Sequence, residues 1–422
     1  MNKTIQLGDY ISTLKGFAFK SQWFEKEGHP IVKVSDFTEN SIDTSKLVKI
    51  PFEVAEKYKK YALKTNDIVI QTVGSWPSNP ASVVGKTIKV PCQAHGSLLN
   101  QNAVIIYPDK NIDQSYLYYV LKDQNFKDYI VGTAQGAASQ ASITLDAIKG
   151  FELELPDQEV QQKIASILST YDDLIENNNR RIAILEEMAR CLYREWFVKF
   201  RFPGHEAVKM IDSELGQIPE GWEINYLENV IDINRGRSYK SSELVDEGGM
   251  PFLNLKNIAR EGGFRRDGLK GYDGPFKPTQ TARANDIIMA VTDMTQERAV
   301  IARPARVPNM GFDTFVLSMD LIKITAKPTY DNGFIFCFLR YSQFSDEVKQ
   351  FANGANVLHL SPSVIEKYQA VLPPIDLQEG FYAIVEKLHQ LQDNLAIKND
   401  NLKQQRNMLL PKLISGKIEV TI

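Results

Sequence analysis

The 422-residue sequence predicts an α+β protein in which two similar globular units are joined by two long antiparallel helices that form a coiled coil. Three observations lead there. Residues 156–200 carry Val160, Ile164, Ile167, Tyr171, Leu174, Asn178, Ile182, Leu185, Ala189, Leu192 and Trp196 at alternating spacings of three and four, the seam of a helix made to meet another helix. A second seam runs from Leu377 through Phe381, Ile384, Leu388, Leu391, Leu395 and Leu402 to Leu409. Shifting the first helix by 217 positions lays Ile164 on Phe381, Tyr171 on Leu388, Leu185 on Leu402 and Leu192 on Leu409, so the chain is an internal duplication.

Residues 1–155 make the first unit. Short β-rich runs (IVKV, DIVI, SVVGKTIKV, NAVIIY) alternate with turns, a helix is expected over 115–130, and the small, polar, glycine-bearing run 132–142 reads as a loop before the FELELP strand. Residues 156–200 are the first long helix. Pro156 and Asp157 mark its start, nothing breaks it before Pro203-Gly204, and its length is about 60 Å at the α-helical rise. Asn178 is the polar residue of its seam and is expected to fix register at some cost in stability. Residues 201–222, rich in proline and glycine, read as a linker.

Residues 223–373 repeat the order of the first unit: PFLNL, DIIMAV, AVIA, LSMDLIKI, a helix over FIFCFLRYSQFSDEVKQF, a glycine loop from Ala352, then YQAVLP. Local matches support the pairing. Lys15-Gly16 and Phe19-Lys20-Ser21 correspond to Arg235-Gly236 and Tyr239-Lys240-Ser241, and Asn66-Asp67-Ile68 to Asn285-Asp286-Ile287. Residues 374–422 hold the second long helix, with Asp376 and Glu379 at capping-box spacing, and a strand-like tail over 417–422 expected to return beside residues 1–15.

With 43% hydrophobic residues the chain can build two cores, and no apolar run approaches the ~20 residues of a membrane span, so a cytoplasmic protein is expected. Cys92, Cys191 and Cys337 lie far from one another, and although His95 follows Cys92 by three residues no second ligand pair accompanies them, leaving no complete metal set and no disulfide framework. A net charge of −3 does not by itself advertise a nucleic-acid binder, but residues 235–306 carry 13 Lys plus Arg against 9 acids, a local basic stretch. Enzyme motifs are missing. Gly85-Lys86-Thr87 has Pro80 where a phosphate loop needs its first glycine. Leu372-Pro373-Pro374-Ile375 lacks the polar and aromatic neighbours of a base-flipping methyltransferase motif. Glu347-Val348-Lys349 sits in a predicted helix with no suitable acid upstream.

Two globular units on two long helices, with LYREWFVKFRFPGHE and SELGQIPEGWE at the end of the first helix, LPDQEVQQKI and LPPIDLQE at the starts of both, and NMLLPKLISGKIEV at the end, strongly resemble the specificity subunit of type I restriction-modification systems over the full length. The resemblance implies that the chain catalyses nothing. Its two units would be target-recognition domains reading an asymmetric bipartite site in double-stranded DNA for two modification subunits that methylate adenine N6 and for restriction subunits that translocate and cut DNA. S-adenosylmethionine, ATP and Mg would be bound by those partners and not by this chain. The alternative from the residues alone is a coiled-coil scaffold that binds protein through its globular ends.

The loops that would meet DNA are expected at matching places in both units. Arg235, Arg237, Tyr239 and Lys240 follow the first strand of the second unit, Thr292 and Asp293 follow DIIMAV, and Asn353, Asn356 and His359 lie in the glycine loop. Their counterparts are Lys15, Lys20, Gln71, Ser75, Gln135, Ser139 and Gln140. Singly, each basic residue is as readily a solvated surface charge; the recurrence of loops of one type carries the argument. Arginine pairs bidentately with guanine and Asn or Gln with adenine, residues 1–155 contain no arginine, and the second unit offers Arg235, Arg237, Arg298 and Arg303, so the half-site of the first unit is expected to be the richer in A·T. By the resemblance the modification subunits pack at the helix ends, which makes Tyr193, Trp196, Phe197, Leu409, Leu410, Leu413 and Ile414 candidate partner-binding residues; the competing reading is that they fill the two domain cores.

Overall fold

A computed structural model describes residues 3–77, 83–137 and 140–420. The chain divides into two compact units, Met1–Glu176 with Asp400–Ile422, and Asn177–Asn399. Each is built on a four-stranded antiparallel sheet of the same topology. In unit one the order is Ile11–Lys15, Ala103–Pro108, Ile68–Gln71, Thr87–Lys89, and in unit two Ile231–Arg235, Leu321–Ala326, Ile287–Ala290, Pro304–Arg306. A second sheet, three-stranded in unit one and five-stranded in unit two, contains a parallel pair, His29–Val32 with Leu98–Leu99 and Met250–Leu253 with Phe315–Leu317. Before each long helix an antiparallel pair closes the unit: Lys3–Gln6 on Glu152–Leu155, and Glu223–Tyr226 on Gln369–Leu372.

The repeated Asn-Asp-Ile triplets have a backbone cause. Asn66 and Asn285 sit at φ 71° and 72°, a left-handed turn that asparagine tolerates. The carboxylates of Asp67 and Asp286 then accept the Lys64 and Arg283 N–H groups at 2.8 and 2.9 Å and hold the turn ahead of the central strand.

The first long helix runs Gln158–Tyr193 and continues through a wider π turn, Arg194–Val198; the second runs Ile375–Ile414 and carries Pro411 in its last turn. Their starts are clamped alike. Buried Gln161 accepts the Asp113 N–H (2.8 Å) and donates to the Pro156 carbonyl (2.9 Å); buried Gln378, 217 residues on, accepts from Asp331 (3.0 Å) and donates to Pro373 (2.7 Å). Asp113 and Asp331 are themselves the N-caps of the helices that follow the longest strand of each sheet.

From these clamps two heptad columns run down each helix. One column of the second helix is Phe381, Leu388, Leu395, Leu402 and Leu409, as its spacing predicts; the other is Gln378, Val385, Gln392, Asn399, Arg406 and Leu413. Four of the six residues in this second column are polar, and Gln378, Asn399 and Arg406 are buried. Leu174, Ile384 and Leu391, which the sequence places in the seams, are 45%, 45% and 39% exposed: an apolar count assigns them the positions that the polar column occupies.

Inside unit two Asn178 donates to Asn399 Oδ1 (2.9 Å) while Asn399 donates to Asn179 Oδ1 (2.9 Å), and Gln392 donates to the Ile182 carbonyl (3.3 Å). Residue numbers rise along one helix as they fall along the other, so the pairing is antiparallel. Inside unit one Arg406 pairs with Asp172, whose other oxygen accepts the Tyr119 hydroxyl at 2.7 Å.

Three expectations change. Tyr193, Trp196 and Phe197 are buried in the core of unit two, where Phe197 meets Phe381 edge-on at 4.7 Å and Phe334 at 5.0 Å, and Trp196 lies 5.6 Å from Phe381. Leu409, Leu410, Leu413 and Ile414 pack on the core of unit one. Tyr193, Trp196, Phe197 and Leu413 are thus core residues, which favours the competing reading for them, whereas Leu409, Leu410 and Ile414 are half-buried. The stretch 201–222 is no free linker: it forms the hairpin Met210–Ser213 with Gly216–Pro219 and buries Phe202, Ile218 and Trp222 in unit two. The tail is not a strand over its described residues, since it turns at Gly416 (φ 69°); it does belong to unit one, where Val420 packs on the core that includes Ile5 and Leu7.

The paired asparagines reverse the sign of an obvious design. Asn178→Leu removes the donor to a buried Asn399 oxygen, and Asn399→Leu strands Asn178; each single change is expected to destabilise unit two by about 1–3 kcal/mol, while the double leucine variant recovers most of the loss. Urea unfolding of the four proteins of the cycle measures this. Additive losses would contradict it.

His389 gives a pH test. It is buried beside Phe336 in a cavity of about 350 Å³, no hydrogen bond reaches either ring nitrogen among the described residues, and its pKa is pushed down to about 3, first by burial and then by the Arg306 and Arg340 charges. A depressed folded pKa means that its stability contribution is complete above the unfolded value of about 6.5 and is lost progressively as pH falls toward 3. His389→Leu is therefore expected to lose less stability than the native chain between pH 7 and pH 5, read as the shift of the urea midpoint.

Candidate nucleic-acid interface

The expected loops of each unit leave one edge of its four-stranded sheet. In unit one Lys15 and Ile70 both lie opposite Val104, and in unit two Arg235 and Met289 both lie opposite Ile322, so the first two loops start two strand spacings, about 10 Å, apart. The third loop is drawn to the second by strand pairing. Val73–Gly74 pairs with Gln140–Ser142, which pairs with Gln135–Ala137; Thr292–Asp293 pairs with Leu358–His359.

The two edges share their main-chain hydrogen bonds. Gly16 N–H donates to Ala103 (2.9 Å), Phe17 to Leu99 (2.9 Å), Thr72 to Asn102 (2.8 Å) and Ile143 to Thr72 (2.9 Å). The equivalents in unit two are Gly236 to Leu321 (3.0 Å), Arg237 to Leu317 (2.9 Å), Val291 to Asp320 (2.9 Å) and Leu360 to Val291 (2.8 Å). Glycine is required at the crossing: a Cβ on Gly16 would stand 2.0 Å from the Asn100 oxygen, and one on Gly236 2.1 Å from that of Ser318.

Not every candidate reaches solvent. Lys15, Lys20, Gln135, Gln140, Arg235, Lys240, Asn353, Asn356 and His359 are exposed, and Ser75, Arg237 and Tyr239 are half-buried. Gln71, Thr292 and Asp293 are buried and act as loop supports in this conformation. Gln71 donates its amide to the Val73 carbonyl (2.9 Å). The Asp293 carboxylate accepts from the Thr295 N–H and hydroxyl (both 2.8 Å) and from the Val300 N–H (2.9 Å), which folds the loop back on itself. Ser139 lies outside the described residues. Arg298 and Arg303 are engaged within unit two, by Gln350 and Asp346 at 2.9 Å each. Burial, then the Asp320 carboxylate, raises the pKa of Tyr239, which keeps its phenol neutral.

Two features escaped the sequence reading. The run LSMDLIKI is not one strand: Phe315–Leu317 ends, Ser318 to Asp320 turn, and Leu321–Ala326 begins, so a polar turn (Asn100 to Asn102 in unit one) stands between the first two loops. Only the polar pair Ser318 and Asp320 inside an apolar run hinted at it. The other is a set of aromatic residues beside Lys15 and Lys20, treated below. Among the described residues there is no His, Cys, Asp or Glu cluster suited to a metal, and no helix is long and apolar enough to cross a membrane.

The type I restriction modification DNA specificity domain matches residues 2–187 and again 219–405, and the chain belongs to that family. Its role is that of a non-catalytic DNA sequence-recognition subunit. The chain is 28% identical over 425 residues to a putative type I restriction enzyme MjaX specificity subunit from Methanocaldococcus jannaschii, covering 98% of this chain and 93% of the relative. It is 21% identical over 432 residues to the HindI specificity subunit of Haemophilus influenzae, covering 85% and 88%. The crystal structure of the S subunit of a type I restriction-modification system from M. genitalium has the same fold, with a TM-score of 0.56 at 16% identity, covering 100% of this chain and 97% of that one.

Arg235 and Arg237 are poised differently. Arg235 is exposed and donates Nε to the Met319 carbonyl (3.2 Å); Arg237 donates Nε to the Ser238 carbonyl (2.9 Å) and lies 5.6 Å over the Tyr272 ring. Replacing both by alanine is expected to weaken binding to the cognate site at least tenfold at fixed salt and to change non-specific binding less, because a bidentate base contact is worth about 1–3 kcal/mol. Fluorescence anisotropy on cognate and scrambled duplexes reads both quantities. Equal losses on the two would assign these arginines to phosphates.

Proposed function

We propose that each unit reads one half of an asymmetric bipartite site in double-stranded DNA, and that the chain carries two modification subunits that methylate adenine N6 together with restriction subunits that translocate and cut. In this reading the chemistry belongs to the partners, which bind S-adenosylmethionine, ATP and Mg, and the complex works in the cytoplasm. The observation that carries it is the pair of sheet edges with matched main-chain hydrogen bonds but different side chains: Lys15, Phe17 and Ser142 in unit one, against Arg235, Arg237 and His359 in unit two. Equal scaffolds with unequal surfaces suit two unlike half-sites better than a palindrome. A protein-binding scaffold would not call for two matched edges that each gather basic and amide side chains.

Among the exposed candidates unit one offers Gln135 and Gln140 with lysines, whereas unit two offers arginine. The half-site of unit one is therefore expected to be the richer in A·T. The test is to assemble the chain with its modification subunits, map methylated adenines in DNA it has modified, and exchange residues 1–155 for those of a relative. A gapped motif of which one half changes supports the reading, and the half that changes belongs to unit one. No enriched motif, or a half-site of unit one richer in G·C, would overturn the recognition and base-preference parts respectively.

A further inference from the structure

The matched edges place Phe17 and Arg237 at the same backbone position, each N–H bonded across the crossing to Leu99 or Leu317. What surrounds them differs. In unit two the Arg237 guanidinium lies over Tyr272, which stacks on Phe252 at 5.1 Å, and one of its nitrogens stands 3.7 Å from Glu243. In unit one the Phe17 ring lies 4.2 Å from Tyr58 at 30° and 5.4 Å from Tyr61, and Trp23 adds to the same group, 5.9 Å from Tyr58. A cluster of aromatic rings is usually core. Here the fully buried layer lies beneath, in Ile31, Ile50 and Leu98, while Phe17, Trp23, Tyr58 and Tyr61 remain half-exposed. Lysines border the surface: exposed Lys20 stands 5.6 Å over Trp23 and exposed Lys60 4.9 Å over Tyr61.

Taking the recognition reading above as its basis, we infer that position 17/237 is a specificity position: Phe17 on its tyrosine platform meets the 5-methyl group of a thymine in the half-site of unit one, and Arg237 meets the O6 and N7 acceptors of a guanine in the half-site of unit two. The chemistry is complementary. The major-groove edge of thymine offers a methyl group that an apolar ring covers, and guanine offers two acceptors that match a guanidinium fork. Tyr272 and Glu243 fix the orientation of that fork, as Tyr58 and Tyr61 fix that of the Phe17 ring, so neither contact requires ordering a free side chain. In this reading the exposed Lys20 and Lys60, which border the platform, pair with phosphates beside the read base.

The native chain, assembled with its modification subunits, tests this on the duplex motif it selects. Each thymine of the unit-one half-site is replaced in turn by deoxyuridine, which removes only the methyl group, and each guanine of the other half by 7-deazaguanine, which removes only the N7 acceptor. One thymine is expected to lose affinity about fourfold on demethylation, the worth of one buried methyl group, and this sensitivity is expected to vanish in Phe17→Ala and to shrink in Phe17→Leu, the variant that keeps an apolar packing partner for Tyr58. One guanine is expected to be sensitive in the native protein and insensitive in Arg237→Ala. A selected motif indifferent to every thymine methyl, or a sensitivity unchanged in a folded Phe17 variant, overturns the inference and leaves the recognition reading standing. Failure of the native complex to select any duplex motif overturns both.

Discussion

One buried side chain at the root of each long helix sets the frame for the rest. A helix of 36 or 40 residues with a stripe along one side has many registers in which it could slide against a partner, because leucine seams are alike at every turn. Gln161 and Gln378 fix where each helix starts on its own unit. Each side chain satisfies a backbone N–H of the domain and a carbonyl ahead of its own helix, and an amide held on both ends by buried partners is costly to displace. The first residue of the heptad count is thereby tied to the cap of a domain helix, and the columns that follow inherit their phase from it.

The polar column continues the same logic away from the clamp. Val385 and Leu413 are ordinary seam residues, but Gln392, Asn399 and Arg406 stand in the same column and each has a specific polar partner: Ile182 and Glu186, Asn178 and Asn179, and Asp172. An apolar residue at those positions would pack in several alignments, whereas an amide or guanidinium out of register is left buried without a partner. Only 7% of the Arg406 side chain is exposed, so its pairing with Asp172 decides alignment more than net stability. Apolar residues supply adhesion on one column, and polar residues supply identity on the other.

How much of this could be read from the chain follows from the same division. The leucine column and the 217-residue repeat, with its recurring Asn-Asp-Ile triplets, were legible because each reflects a simple rule: period or duplication. The polar column was not, since an apolar count passes over Gln392, Asn399 and Arg406 and fills the gap with Leu391 and Ile384, which face solvent. Trp196 and Phe197 looked like an excess of apolar surface at a helix end because their partners Trp222, Phe334 and Phe381 are distant in sequence. The loops that hold the candidates leave one edge of each sheet, but burial separated Gln71, Thr292 and Asp293 from the exposed residues, and no spacing rule foretells that a loop-end carboxylate will turn inward to accept three hydrogen bonds.

The edges themselves show why duplicated units can diverge in what they read. Their architecture rests on groups that carry no side-chain information: main-chain hydrogen bonds at four matched places, and a glycine at each crossing where no Cβ fits. Side chains at 15, 17 and 20, and at 235, 237 and 240, hang from that frame; Lys15, Lys20, Arg235 and Lys240 are exposed, whereas Phe17 and Arg237 are held half-buried by neighbouring rings. The contrast with Asp293 is instructive. Its carboxylate is part of the frame of its own loop, so a change there would alter the loop before it altered any contact with DNA. Lys15 and Arg235 stand at the ends of equivalent strands and can be exchanged at little cost to the fold, so selection on the recognised sequence acts on the edges while the helix columns keep the register fixed.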